Sequence, residues 1–71
     1  MLDRSHFGRR CRTLLQVSTA QGTLRRYSEG TIRYEMDNLD RHLIFVDWDN
    51  GMTALVFPGE IEMLMQEGVL A

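Results

Sequence analysis

Residues 41–57 read RHLIFVDWDNGMTALVF, and this pattern predicts a β-hairpin around which the rest of the chain must fold. Two runs rich in β-branched and aromatic residues flank Asn50-Gly51, the dipeptide best suited to a two-residue type I′ turn, because both turn positions need a positive φ. Such a turn pairs Val46 with Leu55 and Ile44 with Phe57. Since side chains alternate across a strand, the predicted core face collects Ile44, Val46, Trp48, Leu55 and Phe57.

The opposite face of this hairpin also carries apolar side chains. In the same register Leu43, Phe45, Met52 and Val56 point away from the core. Clustered apolar groups on an outer face are typical of surfaces that bind a partner. We therefore predict that these four residues bind another protein, with a homodimer as one form of that contact. The alternative is that Phe7 or Leu70 covers them.

The length of 71 residues allows a single domain. A chain this small buries about 60% of its unfolded surface, and a small barrel hides its strand edges as well. Cys11 is the only cysteine, which excludes an internal disulfide and indicates an intracellular protein or one that is indifferent to redox state. The apolar runs are too short to span a membrane, and the basic N-terminal region lacks the apolar segment of a secretory signal. We expect a cytoplasmic protein that does not enter membranes.

The first half of the barrel is predicted with two alternatives for its opening strand. Residues 1–8 have no clear period and are expected to form a flexible arm. In residues 9–17, Arg10, Arg12, Leu14 and Gln16 alternate with a second set of side chains, and this alternation predicts a first strand. A helix also fits this segment. Residues 18–23 predict a loop that continues irregularly to residue 28. The inward set of the first strand is Cys11, Thr13, Leu15 and Val17.

A second strand is predicted over residues 29–36. Ile32, Tyr34 and Met36 would point to one side of it. Gly30 at its start indicates a bulge or the close approach of another strand. Residues 37–40 predict the next turn, with Leu39 covering one end of the core.

After the hairpin, Pro58-Gly59 predicts a sharp turn, because proline cannot continue a central strand. Ile61, Met63 and Met65 then alternate with polar or outward residues, which favours a short fifth strand. A helix over residues 60–67 is the alternative. The fold predicted from the whole pattern is all-β, a small five-stranded SH3-like barrel over residues 9–66, with a short turn or 3-10 segment near Pro58 and a tail at 67–71.

Three motifs in residues 29–62 resemble those of small bacterial SH3-like barrels. They are Glu29-Gly30-Thr31-Ile32, the run from Ile44 to Gly51, and Phe57-Pro58-Gly59-Glu60-Ile61. Among characterised members of this family, the chain resembles the E subunit of photosystem I and the variable chain of ferredoxin–thioredoxin reductase. The resemblance implies an accessory subunit without catalytic residues, in some relatives near a docking site for acidic ferredoxin. An arginine-rich first strand and the lack of lysine set this chain apart, so another family of the same barrel is the alternative.

Few residues are suited to catalysis or to metal binding. Cys11 with His6 or His42 is the only cysteine–histidine combination, and no motif ties these residues together. Asp47 and Asp49 beside the hairpin turn do not have the spacing of a calcium loop. Two histidines and one cysteine also lack the spacing of a zinc site. We predict a non-enzymatic protein without cofactor or metal.

The charges of the chain are divided between its two halves. Residues 1–33 hold seven arginines against two acids, whereas residues 34–71 hold one arginine against eight acids. The first interpretation is that the basic half pairs with the acidic half across the sheet, each surface pair adding at most ~1 kcal/mol. The second is a basic face that binds RNA or DNA through phosphate contacts and base stacking. The candidate residues of that face are Arg9, Arg10, Arg12, Arg25, Arg26, Arg33 and Tyr27.

Together these patterns predict a non-catalytic accessory or adaptor module that binds another protein. An RNA- or DNA-binding barrel that uses its arginine-rich face is the alternative. The two differ in where the arginines point. Arginines that pair with acids such as Glu62 favour the adaptor, whereas arginines that converge with Tyr27 on one open face favour nucleic acid.

Overall fold

The computed structural model describes residues 2–64, and this part of the chain confirms the predicted all-β class. It contains no α-helix, and the 3-10 turn predicted near Pro58 spans Pro58–Glu60. None of its helical segments has the length or the apolar character needed to cross a membrane. The strands are β1 (Leu2–Asp3), β2 (Arg10–Thr13), β3 (Val17–Thr19), β4 (Gly22–Leu24), β5 (Glu29–Asn38), β6 (Arg41–Trp48), β7 (Thr53–Val56) and β8 (Ile61–Met63).

The sheet is built on a three-stranded meander of β5, β6 and β7. Strand β2 pairs with the start of β5, and β8 pairs with the other side of β2, which gives the order β7-β6-β5-β2-β8. Strand β1 pairs with the later part of β5, while β3 and β4 form a separate hairpin. The predicted succession of a first strand, a meander, a proline turn and a short last strand is confirmed. Closure into a barrel stays a prediction, since the pairings within residues 2–64 do not join β7 to β8.

The central hairpin has a different turn from the predicted one. Its loop is three residues long, because the Trp48 amide donates to the Met52 carbonyl at 2.8 Å and the Gly51 amide donates to the Trp48 carbonyl at 3.0 Å. Of the loop residues only Gly51 has a positive φ, 92°. This combination is a type I turn followed by a left-handed glycine, the usual three-residue alternative to type I′. Asn50-Gly51 suits both turns, so the dipeptide alone did not decide the loop length.

The longer loop shifts the register of the hairpin by one residue. Ile44 pairs with Val56 and Val46 with Ala54, whereas the prediction paired Ile44 with Phe57. A slip of one residue exchanges the two faces of a strand. Val56 is consequently 1% exposed in the core, while Leu55 and Phe57 are 44% and 43% exposed. The predictions that Leu55 and Phe57 belong to the core and that Val56 points outward are wrong.

Strand β5 also changes face part of the way along. Its register with β6 shifts between Ile32 and Tyr34, which leaves Arg33 as the extra residue of a β-bulge. Ile32 lies in the core, but beyond the bulge it is Glu35 that points inward, with 5% of its surface exposed. The prediction that Tyr34 and Met36 share the face of Ile32 is therefore wrong. Alternation alone did not reveal the bulge, because both residues are apolar.

Two predictions about single residues of the meander have opposite outcomes. The close approach at Gly30 is confirmed, since a Cβ there would lie 2.7 Å from Val46 Cγ1 and 2.8 Å from the Asp47 carbonyl oxygen. The prediction that Leu39 covers the core is wrong, because its side chain is 88% exposed. Leu39 and Asp40 instead form a two-residue turn in which both φ angles are positive, 51° and 65°.

The chain before β5 forms more strand than predicted. Residues 2 and 3, expected in a flexible arm, pair with β5, and the predicted loop at 18–23 is largely the β3–β4 hairpin. The predicted first strand is confirmed at β2, with Cys11 and Thr13 buried, but it ends before Leu15, which is exposed.

The last described strand agrees with the preferred prediction for its segment. Ile61 to Met63 are strand rather than helix. The residues of two other predictions, Met65 in the last strand and the tail at 67–71, lie outside the described residues.

Candidate protein-binding surface

An aromatic and apolar row crosses the meander on the side away from the core. Tyr34 of β5 pairs with Phe45 of β6, which pairs with Leu55 of β7. The rings of Tyr34 and Phe45 stack with their centroids 4.9 Å apart and an angle of 4° between their planes. Directly opposite residues of an antiparallel pair share a face, so the β5 bulge and the hairpin loop together create this row.

A second apolar row runs beside the first. Leu2 of β1 pairs with Met36, and Met36 pairs with Leu43. Phe57 lies two residues beyond Leu55 in extended chain and is likewise exposed. We call this surface the outer face of the meander, and its apolar members are Leu2, Phe7, Tyr34, Met36, Leu43, Phe45, Leu55 and Phe57.

Two clefts flank Phe45 on the outer face. The first, of about 450 Å³, has the aromatic walls Phe7, Tyr34 and Phe45, with Arg4, Arg33 and Asp47 completing its lining. Arg33 donates to Asp47 Oδ2 at 2.9 Å, and its guanidinium lies 5.5 Å from the centre of the Phe7 ring. The first cleft therefore combines aromatic surface with both signs of charge.

The second cleft, of about 440 Å³, lies between Phe45, strand β7 and the β3–β4 hairpin. The Gln21 side chain joins its two sides, because it accepts from the Thr53 amide at 3.2 Å and donates to the Thr53 hydroxyl at 3.3 Å. An amide side chain can thus satisfy polar groups along the edge of β7, where an unpaired strand is open to association.

The structure separates the four predicted partner-binding residues. Leu43 and Phe45 lie on the outer face, partly buried. Met52 packs against the core, and Val56 is inside it. Because of the register shift, Leu55 and Phe57 point outward from β7 and its end in place of Met52 and Val56. Their exposure could have been predicted only by weighing a three-residue loop against the two-residue turn.

Three of the six predicted basic-face arginines pair with carboxylates. Arg10 donates to both oxygens of Asp49, at 2.9 and 2.6 Å, and a weaker contact joins it to Glu29 at 3.5 Å. Arg12 donates to Glu62 at 2.9 and 2.5 Å. Arg33 pairs with Asp47, as described above. The hydrogen bonds from Arg10 lower the pKa of Asp49, and those to Glu62 raise the pKa of Arg12.

The remaining basic-face candidates gather only in part. The Arg26 guanidinium lies 4.5 Å from the centre of the Tyr27 ring, and that of Arg12 lies 5.2 Å from it. Tyr27 has a φ of 69° and an exposed ring. Arg9 is half-buried and its Nε has no hydrogen-bond partner among the described residues. Tyr27 thus lies between two arginines, one of which is already bonded to Glu62.

A group of titratable side chains that the sequence analysis did not foresee lies at one end of the core. His6 Nδ1 is 2.5 Å from Glu35 Oε2, and His42 Nε2 is 2.7 Å from Glu35 Oε1. His42 Nδ1 is 2.9 Å from Asp37 Oδ1. We call these four residues the His–Glu cluster. The Asp37–His42 contact follows from a two-residue turn at 39–40, but Glu35 faces inward only because of the bulge.

The pKa values of the His–Glu cluster shift in opposite directions. Burial acts to raise the pKa of Glu35, but hydrogen bonds from His42 and His6 outweigh it and leave this pKa lowered. Hydrogen bonds to Glu35 and Asp37 raise the pKa of His42. The cluster therefore favours an ionised Glu35 beside a protonated His42. Among residues 2–64, no three or more histidine, cysteine or acidic side chains are arranged to hold a metal ion.

Cys11 and the two histidines do not come together. Cys11 is fully buried in the core, where loss of hydration raises the pKa of its thiol to about 11. A thiol nucleophile must ionise readily and be accessible, and Cys11 has neither property. Both histidines contact Glu35 instead.

Comparison of the chain with models of known families, with curated proteins and with solved structures found no match. The resemblance of residues 29–62 to small SH3-like barrels thus stays a prediction.

Proposed function

We propose that this protein is a non-catalytic module that binds another protein through the outer face of its meander. The observation that carries the proposal is the row of Tyr34, Phe45 and Leu55, in which Leu55 is exposed and the two stacked rings are partly buried beside a cleft of about 450 Å³. Apolar patches of this kind, rimmed by polar groups, are typical of protein-binding sites. Aromatic residues and arginine are also enriched where proteins meet.

The charges support a protein partner over a nucleic acid. Arg10, Arg12 and Arg33 are each engaged by a carboxylate, so their charges are largely balanced before any ligand arrives. The sequence pI of about 5.5 is also far from that of a typical nucleic-acid-binding domain.

The experiment compares the proteins retained by the wild type with those retained by a Phe45→Glu variant, after crosslinking in an extract of the source cells. A charge at the centre of the outer face should abolish capture, because a buried unpaired carboxylate is costly. Leu15→Glu is the matched control, since Leu15 is exposed between β2 and β3, outside the outer face. Retention of the same proteins by Phe45→Glu as by the wild type would refute the proposal.

A second copy of the chain is one partner that the same variants test directly. Sedimentation of the wild type across a range of concentrations shows whether it self-associates, and Phe45→Glu should then be a folded monomer. A wild type that is monomeric at high concentration excludes the homodimer and leaves a different protein as the partner.

RNA or DNA is a second candidate ligand, favoured only by the position of Tyr27 between Arg12 and Arg26. Stacking of a base on an exposed aromatic ring beside cations is the usual mode of single-strand binding. An NMR titration with single-stranded RNA at near-physiological salt should shift the amides of residues 25–28 if this candidate is correct. Shifts that salt erases would exclude specific binding.

A further inference from the structure

The N-terminal segment, residues 2–8, is fastened to the sheet at both of its ends, and the side chains of His6 and Phe7 contact the sheet between them. Leu2 and Asp3 pair with β5, and the Gly8 amide donates to the Ile32 carbonyl at 2.8 Å. Between these ends, the side-chain contact to the sheet interior is that of His6 with Glu35. The same segment supplies Arg4 and Phe7 to the first cleft. The contact of His6 with Glu35 therefore also helps to keep Arg4 and Phe7 in the lining of that cleft.

The hydrogen bonds of the His–Glu cluster require a proton on each ring nitrogen of His42. Ionised Glu35 and Asp37 can only accept hydrogen bonds. Both nitrogens of His42 contact such oxygens, at 2.7 and 2.9 Å, so both must carry a hydrogen. His42 consequently fits its site only as an imidazolium. A neutral His42 would turn one nitrogen lone pair towards a carboxylate.

Glu35 depends on this proton because it is buried. Its two oxygens receive one ring each, His6 at Oε2 and His42 at Oε1. A buried carboxylate is tolerated when it is paired and hydrogen-bonded, and leaving it without its cation is costly. When His42 becomes neutral, the ion pair that compensates Glu35 is lost. The carboxylate then gains by meeting water, and water reaches it when residues 2–8, whose His6 contacts Glu35, move aside.

We propose that the His–Glu cluster is a pH-sensitive latch that holds residues 2–8 against the sheet in mild acid and releases them as His42 loses its proton. The charged groups packed around it are Asp3 of β1, His6 of the following turn, and Glu35 and Asp37 of β5. Three acids surround two histidines, so removal of one proton from the group increases its net negative charge. Release opens the first cleft by withdrawing Arg4 and Phe7, whatever ligand the outer face binds.

Amide hydrogen exchange measured by NMR tests the latch. The probe is the Gly8 amide, corrected for its intrinsic rate at each pH, and the reference is the Trp48 amide in the hairpin turn. Between pH 5.5 and pH 8.5 the opening equilibrium at Gly8 should rise, by at most about tenfold per pH unit for one proton. The Trp48 amide should not follow it.

The control variant is His42→Gln, which keeps a hydrogen-bond donor but cannot titrate. It should show the same open fraction at Gly8 at both pH values, with the fold verified by Trp48 fluorescence. An unchanged Gly8 opening in the wild type would overturn the latch, as would a pH-dependent opening that persists in His42→Gln. Neither outcome depends on capture of a partner, so the latch and the proposed function can fail separately.

Discussion

The turn between β5 and β6 places Leu39 and Asp40 in left-handed backbone, which aspartate tolerates and leucine does not favour. Leu39 and Asp40 have φ angles of 51° and 65°, the conformation of a type I′ turn. That turn prefers Asn-Gly, because residues with a Cβ are penalised at positive φ. The Leu39 side chain is 88% exposed, so it contributes almost nothing to the core in return. We predict that Leu39→Asn with Asp40→Gly stabilises the protein.

The size of the effect follows from the backbone penalty. A left-handed residue with a branched side chain costs roughly 1–2 kcal/mol, and asparagine or glycine relieves most of that cost. Glycine at residue 40 also makes the unfolded chain more flexible, which takes back about 0.5–1 kcal/mol. The net gain for the double variant is about 0.5–1 kcal/mol. For a domain of this size each kcal/mol raises Tm by about 4–8 °C.

Urea and thermal unfolding followed by tryptophan fluorescence measure this gain. Trp48 is the only tryptophan of the chain and is 3% exposed, so its emission reports the loss of the core. Leu15→Asn is the matched control, an exposed leucine at negative φ, where the change should stay within about 0.5 kcal/mol. A double variant that is no more stable than the wild type would refute the assigned turn.

Three further changes test the meander and the His–Glu cluster. Gly30→Ala should lower the unfolding free energy by about 1–3 kcal/mol, because its Cβ would lie within 3.0 Å of Val46, Trp48 and a carbonyl oxygen. Gly59→Ala is the control and should be nearly neutral, since its Cβ meets no atom within 4 Å. Equal denaturation midpoints for the two variants would contradict this prediction. In urea unfolding, Val56→Ala should cost about 2 kcal/mol and Leu55→Ala less than about 1 kcal/mol, because Val56 is buried and Leu55 is exposed. The reverse order would favour the register of a two-residue turn, in which Leu55 lies in the core. The pKa of His42 is raised in the folded protein, so its contribution to the unfolding free energy is complete below the ordinary pKa of 6.5 and is lost as pH rises through the folded value. The pKa of Glu35 is lowered, so its contribution is complete above the ordinary pKa of 4.5 and is lost as pH falls through the folded value. Unfolding free energy should therefore fall from pH 6 to pH 8 in the wild type and less in His42→Gln, and parallel curves would show that His42 does not couple to folding.

The fold was predictable to the extent that it depends on local patterns. Alternation identified β2, β5 and the hairpin strands, and Pro58 marked the 3-10 turn. Gly30 revealed a close approach because no other residue would fit there. These signals lie within a few residues of one another in the sequence, so no knowledge of the tertiary structure was needed to interpret them.

The candidate site was harder to predict because it depends on two single-residue shifts. One extra residue in the hairpin loop sends Leu55 outward and Val56 inward, and one extra residue at the β5 bulge sends Glu35 inward and Tyr34 outward. Asn50-Gly51 accommodates loops of two or three residues, and Tyr34 is apolar enough to pass for a core residue. The contact of His6 with Glu35 spans 29 positions and follows no period.

The bulge at Arg33 has a consequence for how this chain tolerates changes of length. Arg33 is the one residue of β5 between Gly30 and Asn38 without a partner on β6, and the pairs on both sides of it continue the same antiparallel ladder. Its deletion would join those pairs into a regular strand and leave Tyr34 outward and Glu35 inward, whereas a deletion at any paired position of this strand would displace one side of the ladder. The sheet thus accommodates one extra residue at Arg33 without changing the pairing on either side, and the side chain of that residue lines the first cleft.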